Sequence, residues 1–520
     1  MIEAATAHGM KRRTVLGGIA GAATLGTATA AAAAAAAAAD VVTLTFLHFN
    51  DVYRHGPLGS FGGLAEMATL IEEERAHAPG PVFQTFGGDV LSPSIVSSVT
   101  HGAHMIELLD AMGTDLAVVG NHEFDFGSDV AADRIKQAGF PWLGANVLGT
   151  DGLPFATLRA TLIRDVAGLR VGFVGVLTRD TARLCPHADG VTFTDEATAL
   201  RDGAAALRQA GADIVVAMTH QDLEADIRMA RSVPGIDLVL GGHDHEPAEL
   251  QNAPGVPVLK SASDARWLAV AVLRVARPSP GVPALVRSVG WKLVPNVDVA
   301  PHPRIAGVVE AIDRQTEGVL AQPLARLDAP LDSRTASVRT GEAALGNLVA
   351  DALRSYFRAD IGLVNGGGLR GDRLYPAGHV LSRRDLIGEM PFGNVVEELE
   401  VSGALLLQLL EYGVSGIEES AGRFPQVSGL QFGYDPKATH GSRLGLVLVG
   451  GARVEPGRTY RLATTDYLAA GGDGYDMLKS APVLVDSNGG PLLVNVVAEA
   501  VLAAGRVAAA PEGRARAARH

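Results

Sequence analysis

The stretch that decides the fold is FLHFNDVYRHG, residues 46–56. It begins with apolar residues typical of a strand and then breaks into polar and aromatic residues, namely Asn50, Asp51, Tyr53 and His55. A strand that stops on a carboxylate, with a phenol two residues later, raises the question of what this strand end binds.

From residue 41 the same format recurs along the chain: a short apolar run, a polar stop and then a helical pattern. The runs are VVTLTFLHFND, PVFQTFGGD, LAVVGNHEFD, VGFVGVLT, DIVVAMTHQD and DLVLGGHDHE. Amphipathic stretches between them, such as GGLAEMATLIEEERAHA and EATALRDGAAALRQA, are long enough for crossover helices. This alternation predicts a layered α/β domain.

Five of these six runs stop on residue types that bind metals. Ligands of α/β sheets gather beyond the carboxyl ends of the strands, so one sheet edge can collect all of these side chains. Singly, each has a structural explanation, such as a helix cap at Asp89, a turn at Asn121 or a hydrogen-bonded core histidine at His220. Together they favour a metal site. The strand-end residues are Asp51, Asp89, Asn121, His122, His220, His243 and His245.

The donor types indicate the chemistry of this site. Aspartate, asparagine and histidine without thiolates suit manganese, zinc, iron or magnesium, and one bridging carboxylate can hold two such ions. A pair of ions lowers the pKa of a bound water and neutralises charge at phosphorus, which indicates hydrolysis of a phosphate ester. His122 is a candidate proton donor to the leaving group, and Asp125 a candidate residue to orient its imidazole.

Composition narrows the class of protein. A chain of 520 residues predicts two or three domains, and 47% hydrophobic residues with 62 glycines predict a soluble globular α/β protein. The net charge of −13 disfavours binding to a nucleic-acid polymer. The single cysteine, Cys185, excludes an intramolecular disulfide framework and a cysteine-based zinc cluster.

The N-terminal segment predicts export. MKRRTVLGGIAGAATLGTATA from Met10, followed by an alanine run to Ala39, has the basic, apolar and small-residue regions of a signal peptide. Arg12 and Arg13 resemble a twin-arginine signal, which predicts a periplasmic, cell-surface or secreted protein. The alternatives are an ordinary secretory signal and an uncleaved anchor, the only membrane association that we expect.

Longer motifs resemble one family. NDVY, GGD, GNHEFD, THQDLEAD and GGHDHE, in this order and spacing, resemble the calcineurin-like metallophosphatase domain of the 5′-nucleotidase family. GEAALGNLVADAL, NGGGLR, EMPFGNVVEE, GRFPQVSGL and TTDYLAAGGDGYDML resemble the C-terminal domain of the same family. The resemblance implies a layered α/β/β/α metallophosphatase domain followed by a separate α+β nucleotide-binding domain.

The resemblance also implies roles for single residues. The first metal would be held by Asp51, Asp89 and His245, and Asp89 would bridge to a second metal held by Asn121, His220 and His243. His122 and Asp125 match the catalytic pair. Nucleotide would be bound by Arg339, Asn365, Arg370, Phe392, Tyr467 and Asp473. From the residues alone, core packing is the better explanation of Phe392 and Tyr467.

Tyr53 departs from the family pattern, which usually has a metal-binding histidine two residues after the first aspartate. Three arrangements are open: Tyr53 binds ferric iron as a phenolate, His55 replaces it as a ligand, or the first site is weaker and partly filled by water. We favour a weakened or iron-using first site over replacement by His55.

The predicted organisation is an export signal and alanine-rich spacer (1–40), a metallophosphatase domain (41–300), a linker helix (301–325), a C-terminal domain (326–503) and a disordered tail (504–520). The proline-rich segments RPSPGVP and VPNVDVAPHPR mark the boundary between the two large domains.

The function predicted from these observations is that of an exported two-metal phosphohydrolase that releases phosphate from nucleoside 5′-monophosphates. Within the same family, 2′,3′-cyclic nucleotides and nucleotide sugars are alternative substrates. A different class of function, an inactive binding or surface protein on the same fold, is the further alternative.

Overall fold

The computed structural model describes residues 40–185, 188–251, 255–277, 284–321, 323–508 and 510–518. The predicted export signal lies outside the described residues, as does RPSPGVP apart from its first residue. Within the described ranges, no helix combines the length and the apolar character that crossing a membrane requires.

Most strands of the N-terminal half belong to two six-stranded sheets. The strands described there are β1 Asp40–Phe49, β2 Val82–Phe86, β3 Leu116–Val118, β4 Trp142–Leu143, β5 Val147–Leu148, β6 Thr161–Val166, β7 Leu169–Leu177, β8 Thr192–Phe193, β9 Ile214–His220, β10 Leu238–Gly242, β11 Pro247–Gln251, β12 Pro257–Ser261, β13 Trp267–Arg277 and β14 Leu285–Pro295. The sheet orders are β14-β13-β1-β2-β3-β4 and β11-β12-β10-β9-β7-β6. Strands β1 to β4 pair in parallel, as do β7, β9, β10 and β12.

The two sheets pack face to face through aromatic side chains. The ring of Phe83 on β2 lies 5.4 Å from that of Phe46 on β1 and 5.3 Å from that of Phe173 on β7. Because successive strand residues point to opposite faces, Leu47 lies on the outer face of the first sheet, among residues of the covering helices. Val215 packs in the same way under helices on the second sheet.

The helices described in this half are α1 Leu64–His77, α2 Ser97–Thr100, α3 Ala103–Met112, α4 Ser128–Gln137, α5 Thr181–Leu184, α6 Glu196–Gln209 and α7 Leu223–Ser232. Helices α1 and α3 contribute to the core outside the first sheet, and α6 and α7 to the core outside the second. The predicted α/β/β/α layering is therefore confirmed.

The C-terminal half is a separate α+β unit with its own sheets. Its strands are β15 Pro323–Leu327, β16 Leu331–Asp332, β17 Ile361–Asn365, β18 Leu374–Tyr375, β19 Val380–Ser382, β20 Val396–Ser402, β21 Pro425–Ser428, β22 Leu430–Tyr434, β23 Leu444–Val449, β24 Ala452–Arg453, β25 Thr459–Thr465, β26 Val483–Val485, β27 Arg506–Val507 and β28 Ala515–Ala517. The largest sheet has the order β21-β17-β25-β20-β26.

A long helix lies between the two halves. The remaining helices are α8 Pro303–Leu320, α9 Thr335–Val338, α10 Ala344–Phe357, α11 Arg383–Glu389, α12 Gly403–Gly413, α13 Asp466–Ala469 and α14 Leu493–Ala504. Helix α8 contacts α1 and α3 on one side and α11 on the other. Asn495 Nδ2 also donates a hydrogen bond across the halves to the carbonyl of Ser94, at 2.9 Å. The bounds of the predicted domains stay a prediction.

The structure contradicts the predicted disordered tail in the part of 504–520 that it describes. Strand β27 pairs in parallel with β15, and β28 pairs in parallel with β22. Arg514 donates hydrogen bonds to both carboxylate oxygens of Asp351, at 2.7 and 2.8 Å, and to the carbonyl of Val427. The alanine- and arginine-rich composition suggested disorder, but these residues are ordered by strand pairing and charged hydrogen bonds with distant segments.

Candidate active site

Sharp backbone turns at the strand ends bring the predicted ligands together. Four of them have left-handed backbone conformations: Asp51 (φ 53°) after β1, Asp89 (φ 62°) after β2, and His243 (φ 87°) and His245 (φ 58°) after β10. This conformation is unfavourable for residues other than glycine and is concentrated at functional sites. It turns the chain at the edge where the parallel strands end, so that carboxylates and imidazoles meet there.

Glycines allow the close approach of these loops. A Cβ atom on Gly120 would lie 2.1 Å from Asp89 Oδ1, and one on Gly242 would lie 2.8 Å from Asp51 Oδ2. No side chain fits at either position, because both distances are shorter than a van der Waals contact. Gly120 of GNHEFD and Gly242 of GGHDHE therefore allow the backbone to pack directly against the carboxylates of Asp89 and Asp51.

One part of the site contains buried polar atoms without hydrogen-bond partners. Ligand atoms of Asp89, His220 and His243 all lie within 4.8 Å of one another. His220 Nδ1 donates to the carbonyl of Gly87 at 2.7 Å, which leaves Nε2 facing Asp89 Oδ2 at 3.0 Å without a hydrogen bond. The atoms without partners are Asn121 Oδ1, Asn121 Nδ2, His220 Nε2 and His243 Nδ1. The lone pairs of the amide oxygen and the imidazole nitrogens among them fit a divalent cation.

The other part of the site is joined by hydrogen bonds through Tyr53. Its hydroxyl lies 2.6 Å from His245 Nε2, 3.2 Å from Asp51 Oδ1 and 3.3 Å from Asp89 Oδ2. Burial, together with the charges of Asp51, Asp89 and Asp264, raises the pKa of Tyr53 well above its ordinary value. The phenol therefore keeps its single proton, which it can donate to only one of His245, Asp51 and Asp89 at a time.

His55 does not take the place of Tyr53. Its Nε2 atom lies 2.8 Å from Asp313 Oδ1 on helix α8, and its ring packs edge-to-face against His104 with centroids 5.6 Å apart. Of the three arrangements that the sequence left open, the one with His55 as a ligand is not supported, because its imidazole is turned toward the helix between the two halves.

His122 and Asp125 form the expected pair. His122 Nδ1 lies 2.7 Å from Asp125 Oδ2, and its Nε2 lies 2.7 Å from the backbone carbonyl of Asn488 in the C-terminal half. Burial alone would lower the pKa of His122, but the negative charges of Asp125 and Asp89 raise it to about 10. The neighbouring carboxylates thus favour the protonated ring, which donates at both nitrogens and fits a proton donor to a leaving group.

Glu123 is a buried carboxylate that the sequence analysis missed. It accepts backbone N–H bonds from Asp89 at 3.0 Å, Gly120 at 2.5 Å and Val90 at 2.7 Å. Burial and the charge of Asp89 raise its pKa to about 7. Glu123 therefore joins the loops after β2 and β3 and fixes the position of Asp89. The signal was present, since this glutamate lies within GNHEFD, next to the proposed proton donor.

Lys260 was missed as well. Only 1% of it is exposed, and its Nζ donates to the carbonyls of Gln221 and Gly242 at 2.6 and 2.8 Å. It also forms ion pairs with Asp226, at 3.1 Å, and with Asp244. Lys260 thereby holds the loop that carries His243 and His245. The signal was a lysine inside an otherwise apolar strand, PVLKS.

The six residues proposed to bind nucleotide line one cavity of about 310 Å³ in the C-terminal half. Phe392 is 59% exposed and Tyr467 is 43% exposed, so the core-packing explanation of these rings is wrong. The Arg370 guanidinium lies 5.5 Å from the Phe392 ring centroid. Asp473 accepts hydrogen bonds from Asn365 Nδ2 at 2.6 Å and from the Tyr467 hydroxyl at 3.0 Å. The remaining member is Arg339.

The structure thus gathers the predicted residues into two groups, one at the sheet edge and one in the C-terminal cavity. The role of each single residue stays a prediction. A larger cavity of about 980 Å³, bordered by residues such as Glu411, His440 and Arg453, contains none of the predicted residues.

Comparisons with known proteins agree with this division of the chain. Residues 44–247 match the calcineurin-like phosphoesterase family, and residues 322–480 match the 5′-nucleotidase C-terminal domain. A snake venom 5′-nucleotidase from Crotalus adamanteus is 29% identical over an alignment that covers 91% of this chain and 88% of the relative. The 5′-nucleotidase of Bos taurus is 27% identical, with 87% of both chains covered.

Solved structures resemble the whole fold. The crystal structure of a 5′-nucleotidase precursor from Thermus thermophilus has 26% identity and a TM-score of 0.54, and the match covers 92% of this chain and 100% of that one. An NAD nucleotidase from Haemophilus influenzae, at 18% identity, has a TM-score of 0.80 with the same coverage and supports the fold alone.

The fold and a buried group of side chains that could hold a metal ion together define a metal-dependent phosphoester hydrolase. More specifically, the chain matches both domains of 5′-nucleotidases and is similar to 5′-nucleotidases over 91% of its length.

Replacing Asp89 should deplete the centre of metal, because its carboxylate lies beside His220 and beside the Tyr53 hydroxyl. We expect Asp89→Ala, after loading with manganese and gel filtration, to retain clearly less metal per chain than the wild type in elemental analysis. Circular dichroism should confirm that the variant is folded. Unchanged metal content in the folded variant would show that Asp89 is not a ligand.

Proposed function

We propose that this protein is an exported phosphohydrolase that releases phosphate from nucleoside 5′-monophosphates at a centre of two divalent ions. The observation that carries the substrate class is the 310 Å³ cavity, in which exposed aromatic rings, guanidinium groups and a carboxylate converge. Such a set matches the base, the phosphate and the sugar hydroxyls of one nucleotide.

The proposed contacts follow from the chemistry of each group. Phe392 and Tyr467 offer ring faces on which a base can stack. Arg339 and Arg370 supply the local positive charge that an anionic substrate needs in a chain of net charge −13. The Asp473 carboxylate is an acceptor for ribose hydroxyls. The cavity therefore offers a matching group for each part of a nucleotide.

A second cavity is lined by residues of both halves. It has a volume of about 500 Å³, and its lining includes Arg54 and His55 from the loop after β1. Phe392 lines this cavity and the 310 Å³ cavity alike. The proposed base platform is thus adjacent to the loop that carries Asp51 and Tyr53, which supports a shared role of both groups in one reaction.

For the metal centre, we propose the assignment that the family resemblance implies. Asp51, Asp89 and His245 would hold one ion, and Asn121, His220 and His243 the other, with Asp89 shared. The chemistry that bound divalent ions supply here is activation of water and neutralisation of phosphate charge.

The chain itself contributes a proton and its positioning. His122 Nε2 carries the proton for the leaving oxygen, and Asp125 holds the ring through Nδ1 at 2.7 Å. For this transfer the leaving oxygen must take the place that the Asn488 carbonyl occupies in this structure.

Export is proposed from the N-terminal signal-like sequence, whose paired Arg12 and Arg13 favour the twin-arginine route. Snake venom 5′-nucleotidases among the relatives are consistent with a family that works outside cells.

Phosphate release from a panel of substrates tests the proposed activity. Manganese, zinc, magnesium and iron are supplied in turn. We expect the highest kcat/KM for nucleoside 5′-monophosphates, because the cavity offers a group for their base, sugar and phosphate and they carry no additional sugar or ring. The panel should also contain 2′,3′-cyclic nucleotides and nucleotide sugars. A higher kcat/KM for either of these would replace the proposed substrate.

His122→Ala should lower kcat by roughly 10²–10⁴-fold, the usual loss when a general acid is removed. Its metal content should stay that of the wild type, because no ligand atom is removed; steady-state kinetics and elemental analysis measure the two effects. Turnover at the wild-type rate would exclude His122 as the proton donor.

Removal of the aromatic platform should affect nucleotides selectively. Phe392→Ala and Tyr467→Ala should each weaken transition-state binding of a nucleotide by roughly 1–3 kcal/mol, while hydrolysis of a small aryl phosphate changes little. Arg370→Ala should show the same selectivity. Leu374→Ala, at a side chain that is 51% exposed and outside the cavity, is the matched control. Equal losses on both substrates would indicate a folding defect instead of lost recognition.

A further inference from the structure

The two parts of the proposed metal centre differ in how their polar atoms are satisfied. Among the described residues, the buried atoms without partners at this centre belong to Asn121, His220 and His243. On the other side, the ligand atoms of Asp51 and His245 already take part in hydrogen bonds, and these meet at the hydroxyl of Tyr53.

We infer that the centre binds its two ions unequally, with one ion held tightly by Asn121, His220 and His243 and the other held weakly and exchangeably beside Tyr53. Asp89 is shared between the two positions. This inference rests on the proposed two-ion centre and concerns the regulation of that site by the supply of divalent metal.

The ion beside Tyr53 binds more weakly because it competes with the Tyr53 hydroxyl for the same lone pairs. An ion beside Asp51 and His245 needs the lone pair of His245 Nε2, to which the Tyr53 hydroxyl is hydrogen-bonded at 2.6 Å. It also needs oxygens of Asp51 and Asp89, which the same hydroxyl contacts at 3.2 and 3.3 Å. Each of these contacts must be given up or rearranged when an ion binds. On the other side, Asn121 Oδ1 and His243 Nδ1 have no hydrogen bond to lose, and His220 Nε2 gives up only its ion pair with Asp89 Oδ2, at 3.0 Å.

Tyr53 is held in this position by its surroundings. Its ring packs edge-to-face against His122 and His245, with centroids 5.4 and 5.3 Å away. Its backbone N–H donates to Asp264 Oδ1 at 3.1 Å, and only 9% of the residue is exposed. The hydroxyl therefore cannot swing into solvent without breaking these contacts.

Asp51 is constrained in the same way. Asn50 Nδ2 donates to its Oδ2 at 2.5 Å, and the backbone N–H of His243 donates to the same oxygen at 2.9 Å. His55 supplies no replacement ligand, because its imidazole is hydrogen-bonded to Asp313.

The occupancy of the weak position thus depends on the local concentration of free divalent ions. An activity that needs both ions depends on that concentration as well.

Metal binding to variants of Tyr53 tests this inference. Metal-free protein is titrated with Mn²⁺ in a calorimeter, and elemental analysis follows gel filtration. For the wild type we expect about one retained ion per chain and a second that binds roughly 10–100-fold more weakly. Tyr53→His, which replaces the phenol by a ligand, should retain both ions. Tyr53→Phe removes only the hydroxyl and should bind the second ion no more weakly than the wild type.

Two controls make the outcome specific. His55→Ala should leave both affinities unchanged, and His220→Ala should abolish the tight site. Circular dichroism establishes that each variant is folded.

Several results would overturn the inference. Equal retention of both ions by the wild type would show that Tyr53 does not weaken either position. Weaker binding of the second ion by Tyr53→Phe would show that Tyr53 is itself a ligand. A visible absorption band that appears after loading with iron and is abolished by Tyr53→Phe would show the same. Failure to retain any ion would overturn the two-ion centre as well. Unequal binding without release of phosphate from any nucleotide would uphold the inference and overturn only the proposed substrate.

Discussion

The buried carboxylate of Asp89 is the constraint on which the rest of the site depends. It is fully buried, and a charge removed from water costs several kcal/mol unless it is paired. The backbone N–H of His122 reaches it at 2.8 Å, His220 Nε2 lies 3.0 Å away, and the Tyr53 hydroxyl lies at 3.3 Å. The loops after β1, β2, β3 and β9 therefore converge on one carboxylate. Glu123 holds the backbone of Asp89 in place by accepting its N–H bond.

The convergence of several loops on the Asp89 carboxylate also explains why the backbone of these loops is strained. Asp89 and His243 adopt left-handed backbone conformations that turn the chain at the strand ends, at a cost that ordered hydrogen bonds around them must offset. Glu123 and Lys260 provide such bonds, each with several backbone groups. Two charged residues that are not among the predicted ligands therefore hold the loops in which those ligands lie.

The N-terminal layers and the meeting of polar residues at their strand ends could be predicted from the sequence because both depend on local patterns. Apolar runs identify strands, and parallel strands end at a common edge, so Asp51 and His220 had to lie near each other. The exposure of Phe392 and Tyr467 could not be predicted in this way, since an exposed and a buried aromatic look the same in sequence; only the family resemblance indicated it. The order of the tail was missed because strand β28 pairs with β22, far away along the chain.

Contact between the two halves has a consequence for the chemistry. Nε2 of His122, the atom proposed to deliver a proton, is hydrogen-bonded at 2.7 Å to the carbonyl of Asn488 in the C-terminal half. In the proposed reaction a leaving oxygen and this carbonyl compete for one N–H group, so the proposed proton transfer requires a different arrangement of the loop around Asn488. This loop lies just before helix α14, whose Asn495 holds the carbonyl of Ser94 in the N-terminal half. The proposed proton transfer therefore depends on how the C-terminal half packs against the sheet edge.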